Sequence, residues 1–144
     1  MIGTTLVVAI VFVAMDFFFH HVCLGNLHAA HMHLYRSMEE AKTFFPYMYF
    51  GYILFAFLFT AIYGRWFKEG EKKWFQGLRY GLVMGLFYMG TMILLMLPFV
   101  PYSKDLYWSW FAVGMVEFLV LGLIVGLIFK PGDSCCSSDG SCCS

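Results

Sequence analysis

The sequence predicts an all-α membrane protein: a bundle of four transmembrane helices, with an amphipathic extracytoplasmic helix between the first and second. Three observations predict it. Hydrophobic residues make up 61% of the 144 residues and charged residues only 12%, whereas soluble domains carry about 25% charged residues. The apolar residues gather in four long runs. None of these runs alternates as a strand does, and a membrane barrel needs about eight strands or more. The length suits one domain.

The runs predict spans at about 2–24, 44–63, 77–97 and 108–129. Each is near the roughly 20 residues that a helix needs to cross about 30 Å of hydrocarbon. The N-terminal run has no basic leader and no small-residue cleavage site after it. It is therefore expected to be a retained helix, not a signal peptide. Pro46 falls near the start of the second span, where a missing N–H does no harm. Pro98 and Pro101 close the third span. Trp66 and Trp74 suit one aromatic belt, and Tyr102, Tyr107, Trp108 and Trp110 the other.

Charge predicts orientation. Arg65, Lys68, Lys72, Lys73 and Arg79 lie at the connection between the second and third spans, and Lys130 follows the fourth. Only Arg36, Lys42 and Lys104 fall on the other side. The positive-inside rule then places both termini in the cytoplasm. A net charge of zero argues against nucleic acid as a partner.

The connector from His20 to Phe45 is too polar to span and too regular for a loop. After Asn26, a plausible N-cap, Leu27, Ala30, Leu34, Met38, Ala41 and Phe45 recur at steps of three and four. This predicts one amphipathic helix over about 27–45, lying on the membrane surface or capping the bundle. All five histidines fall here: His20, His21, His28, His31 and His33, with Cys23 among them. Imidazole and thiolate are ligands for zinc, copper and iron. If the first helix continues past residue 19, Asp16, His20 and Cys23 lie within about 60° of one another at about 100° per residue. His28 and His31 share a second face. These residues suit metal binding. Histidines that merely sit at the headgroups, and an Asp16–His20 structural clamp or proton relay, are the competing readings.

Glu117 stands inside the fourth apolar run, where a carboxylate costs several kcal/mol unless neutral or paired. It lies roughly 13 Å from the outer end of its span, and Asp16 roughly 12 Å from the outer end of the first. The two carboxylates are therefore expected in one layer. Met89, Met92 and Met96 form one face of the third span. Ordinary packing explains the methionines more simply than ligation. Gly77, Gly81 and Gly85, with Gly122 and Gly126, follow the small-xxx-small spacing of close helix contact.

Composition changes after Pro131, so the domain is expected to be 1–130 with a flexible cytoplasmic tail over 131–144. The tail carries two vicinal pairs, Cys135-Cys136 and Cys142-Cys143. In a reducing cytoplasm these thiols suit soft metal ions. Lipidation of the cysteines, or no role at all, are the alternatives.

With these motifs in place, the chain resembles a widespread, uncharacterised family of bacterial four-helix inner-membrane proteins (a domain of unknown function). The resemblance runs from about Ile10 to Lys130. It rests on Asp16-x-x-x-His20, Tyr35, Phe50-Gly51-Tyr52 and Lys68-Glu69-Gly70-Glu71-Lys72. Gly77-Leu78-Arg79-Tyr80-Gly81-Leu82 and Gly114-Met115-Val116-Glu117-Phe118 followed by Gly122 complete it. No single block is a catalytic signature, so specificity lies in their order. The resemblance implies the fold, a bacterial inner membrane, and interest in Asp16, His20 and Glu117. The additional histidines and the cysteine-paired tail depart from the family pattern.

The function expected is handling or transport of a soft or borderline metal ion of the copper, zinc or iron class. The candidate metal ligands are Asp16, His20, Cys23, His28, His31 and Glu117, with the tail thiols Cys135, Cys136, Cys142 and Cys143 as acceptors. The alternative is a non-catalytic accessory or assembly subunit of a larger membrane complex. The small size and 21% aromatic content suit packing against other subunits or a second copy. No nucleophile elbow, phosphate loop or HExxH occurs, so an enzyme is not expected. A b-type cytochrome is disfavoured because no second histidine lies in another span.

Overall fold

The computed structural model describes residues 1–30, 36–99 and 103–130. Helix α1 (Ile2–Phe18) runs on as a π-helical segment, Phe19–Cys23, and short helices α2 (Gly25–Ala30) and α3 (Met38–Lys42) follow. Next come α4 (Phe45–Trp66) and α5 (Lys73–Gly85). A second π-helical segment, Leu86–Gly90, carries α5 into α6 (Thr91–Met96), and α7 (Lys104–Ile128) closes the fold. No strand occurs among the described residues. Among the described residues four continuous helical runs, Ile2–Cys23, Phe45–Trp66, Lys73–Met96 and Lys104–Ile128, are long and apolar enough to cross a membrane.

Two of these runs begin four residues before the apolar stretches that announced them. At α7, the Ser103 side chain accepts from the Leu106 N–H at 3.3 Å, and Asp105 complements the helix dipole in the first turn. At α5, Gln76 is buried and its amide closes on the backbone of Lys68. Its Nε2 donates to Lys68 O at 2.6 Å, and Lys68 N–H donates back to Oε1 at 2.9 Å. Gly70, at φ +85°, makes the turn between them.

Helices α5 and α7 form the most intimate contact of the bundle. A Cβ on Gly81 would collide with the backbone of Phe118 and Leu119, and one on Gly122 with the backbone of Gly77 and Gly81. The small-xxx-small spacing is thus a contact of backbone on backbone. Around it Phe59, Tyr63, Tyr80, Phe118, Leu121 and Val125 are almost wholly buried. Tyr80 Oη donates to Phe59 O at 2.6 Å and ties α5 to α4. Large apolar side chains such as Ile10, Phe50, Leu94 and Leu95 point outward, each at least 65% exposed.

The single amphipathic helix expected over 27–45 is divided. Arg36 and Ser37 are not helical, and a turn at Thr43 and Phe44 separates α3 from α4. The cause is a local one. Ser37 is the N-cap of α3, with its side chain accepting from Glu40 N–H at 3.3 Å. Ser-x-x-Glu is the signature of a helix start, and here it interrupts the apolar stripe. Asn26 lies within α2, which begins at Gly25, and so does not cap it.

Candidate functional site

At the end of the bundle opposite the 67–72 connection, the helices diverge around a cavity of about 450 Å³. Asp16 reaches it from α1, Tyr52 from α4, Met92 and Met96 from α6, and Glu117 from α7. The two π-helical segments also border it: the first delivers His20, the second Tyr88 and Met89. π-Turns inside α-helices are rare and are found frequently at functional sites.

Asp16 is engaged through both oxygens. Oδ2 accepts from Tyr52 Oη at 2.5 Å, and Oδ1 lies 3.4 Å from His20 Nε2. The His20 ring stacks on His28, with centroids 5.1 Å apart and planes 12° from parallel. His28 Nε2 in turn accepts from Trp110 Nε1–H at 3.1 Å. Tyr52, Asp16, His20, His28 and Trp110 therefore form a continuous polar seam across α4, α1, α2 and α7.

Glu117 stands apart from that seam. Its residue is 6% exposed, and Oε1 has no hydrogen-bond partner among the described residues. An orphaned buried acceptor costs about 1–3 kcal/mol, more when charged. Asp16 and Glu117 line the same cavity. The common layer expected for the two carboxylates is a common cavity.

The other candidate ligands separate. Met89, Met92 and Met96 line the cavity as one face, as their spacing predicts. Cys23 does not join them and is exposed. The stripe of Asp16, His20 and Cys23 assumed a regular α-helix, and the π-helical segment widens the turn after His20, swinging Cys23 out of line. His28 lies behind His20, outside the cavity wall. His31 and the tail cysteines, 135, 136, 142 and 143, lie outside the described residues. Among the described residues no three His, Cys, Asp or Glu side chains are grouped to hold a metal ion.

Tyr52 and Trp110 make long-range contacts with Asp16 and His28 that no local pattern announced. Tyr52 sits 36 residues from Asp16 and Trp110 82 residues from His28. What the geometry defines, among the described residues, is a helical fold without strands, with four membrane-length helical runs around a cavity lined by two carboxylates. Comparison with models of known families, with curated proteins and with solved structures returns no match.

Proposed function

We propose that this chain is a multi-pass protein of the bacterial inner membrane that handles a soft or borderline metal ion of the copper, zinc or iron class. The observation that carries the reading is Glu117, a buried carboxylate with an unpartnered oxygen, facing a cavity shared with Asp16 and His20. A carboxylate at such depth in a bilayer marks an ion pathway more often than a structural contact. The three thioethers that line the cavity, Met89, Met92 and Met96, favour soft ions.

In this scheme the 67–72 connection, with Arg65, Lys68, Lys72, Lys73 and Arg79 in or near it, and both termini face the cytoplasm. Cys23, His28 and His31 gather the ion at the outer surface, His20 and Asp16 receive it, and Glu117 holds it within the bundle. The tail thiols take it up on the inside. The lipid-exposed faces bearing Ile10, Phe50, Leu94 and Leu95 suit a bilayer and would be an aggregation hazard in water.

The test is metal analysis of purified protein, with Cu(I) and Zn(II) titrations of the full chain and of a chain ending at Lys130. Binding that survives loss of the tail and falls in His20→Ala and Glu117→Gln is the expected result. A preparation that carries no metal and binds neither ion removes the proposal.

A further inference from the structure

The cavity is larger than a bare ion requires. A metal site draws its donors to within about 2.0–2.6 Å of one point. The described residues present no such group of three, and the volume of about 450 Å³ lies within the range of about 300–1,000 Å³ typical of small-molecule sites.

Its walls have a definite chemistry. Phe12, Tyr52 and Phe55 form an aromatic corner: the Phe12 ring lies 4.4 Å from Phe55 and edge-on to Tyr52 at 5.3 Å. Tyr88 and Trp110 add aromatic surface from the third and fourth runs. Faces of such rings attract cations, most strongly where water is excluded. Asp16 and Glu117 supply negative charge, and no lysine or arginine lines the cavity among the described residues. Asp16 is already held by Tyr52 and His20, whereas Glu117, which also lines the cavity, has a buried Oε1 without a partner among the described residues. Met48 and Gly51 line the cavity and are also exposed on α4, so the space reaches the flank of the bundle. A guest can therefore enter from the apolar phase, past a flexible methionine that adapts to its shape.

We infer that this cavity binds a lipophilic organic cation, such as a quaternary ammonium, a phosphonium or a protonated amine flanked by apolar groups. Glu117 is its counter-ion, and the aromatic walls enclose its apolar groups. The inference shares with the metal reading the cation preference of the cavity and does not depend on any metal.

Tetraphenylphosphonium and tetraphenylborate are alike in size and opposite in charge, and they make the decisive pair. Equilibrium binding to the purified full chain in detergent is measured for both. Saturable binding of the phosphonium with none of the borate is expected. Glu117→Gln weakens the phosphonium by about thirtyfold or more, as removal of one partner of a buried charge pair does. Glu117→Asp restores part of it. Equal binding of the two probes, or a Glu117→Gln protein that binds the phosphonium as tightly as the parent, overturns the inference. The comparison of the two probes on the parent protein holds even if a variant fails to fold. A parent protein that binds Cu(I) or Zn(II) but no phosphonium loses this inference and keeps the metal reading. One that binds the phosphonium and neither metal does the reverse.

Discussion

Tyr52 Oη donates to Asp16 Oδ2 at 2.5 Å, joining α4 to α1 across 36 residues of chain. The same carboxylate faces His20 through its other oxygen. One aspartate thus fixes the seam that borders the cavity, and Tyr52 determines where its carboxylate points.

Tyr52→Phe removes the donor and leaves the ring. A hydrogen bond to a carboxylate contributes about 1.5–3 kcal/mol, so the unfolding midpoint in detergent is expected to fall. Asp16→Asn combined with Tyr52→Phe costs less than the sum of the two single changes, because both act on one contact. Strict additivity in that cycle would show that the bond contributes nothing.

Glu117→Leu trades function for stability. It replaces an orphaned buried acceptor with apolar surface, and stability is expected to rise by about 1–3 kcal/mol. Cation binding is lost in the same protein. A leucine variant less stable than the parent would mean that Glu117 makes a structural contact after all.

The glycine contact between α5 and α7 is expected to tolerate no side chain. Gly122→Val sets its Cβ against the backbone of Gly77 and Gly81, and overpacking of this kind costs about 1–3 kcal/mol or more. Gly51 has nothing within 4 Å of an added Cβ. Gly51→Ala is therefore neutral or stabilising by about 0.5–1 kcal/mol. Thermal unfolding in one detergent compares the two directly.

Cys23 is exposed at the cavity end of α1 and the four tail cysteines follow the opposite end of α7. In sealed cells whose outer barrier has been opened, a membrane-impermeant maleimide is expected to label Cys23 in a variant lacking the tail cysteines. A Cys23→Ser protein that keeps the tail is labelled only after the inner membrane is broken. The opposite pattern would reverse the orientation.

The four apolar runs, the glycine spacing and the placement of Asp16 and Glu117 at one end of the bundle were legible in the sequence because each depends on helix geometry alone. Rise per residue sets span length and depth, and a period near four sets which glycines share a face. The Ser37 cap was legible too, as Ser-x-x-Glu, yet the longer apolar stripe masked it. Only the tertiary structure decided which side chains meet. The π-helical segment at Phe19–Cys23 alters the turn and turns Cys23 away from Asp16 and His20, a change of phase that no periodic count contains. Tyr52 and Trp110 reach their partners because α4 and α7 pack beside α1 and α2 there, and contacts across 36 and 82 residues depend on packing. The sequence by itself therefore determined the helices and the carboxylates they carry. Packing decided that Asp16 is held while one oxygen of Glu117, in the wall of the same cavity, is buried without a partner among the described residues.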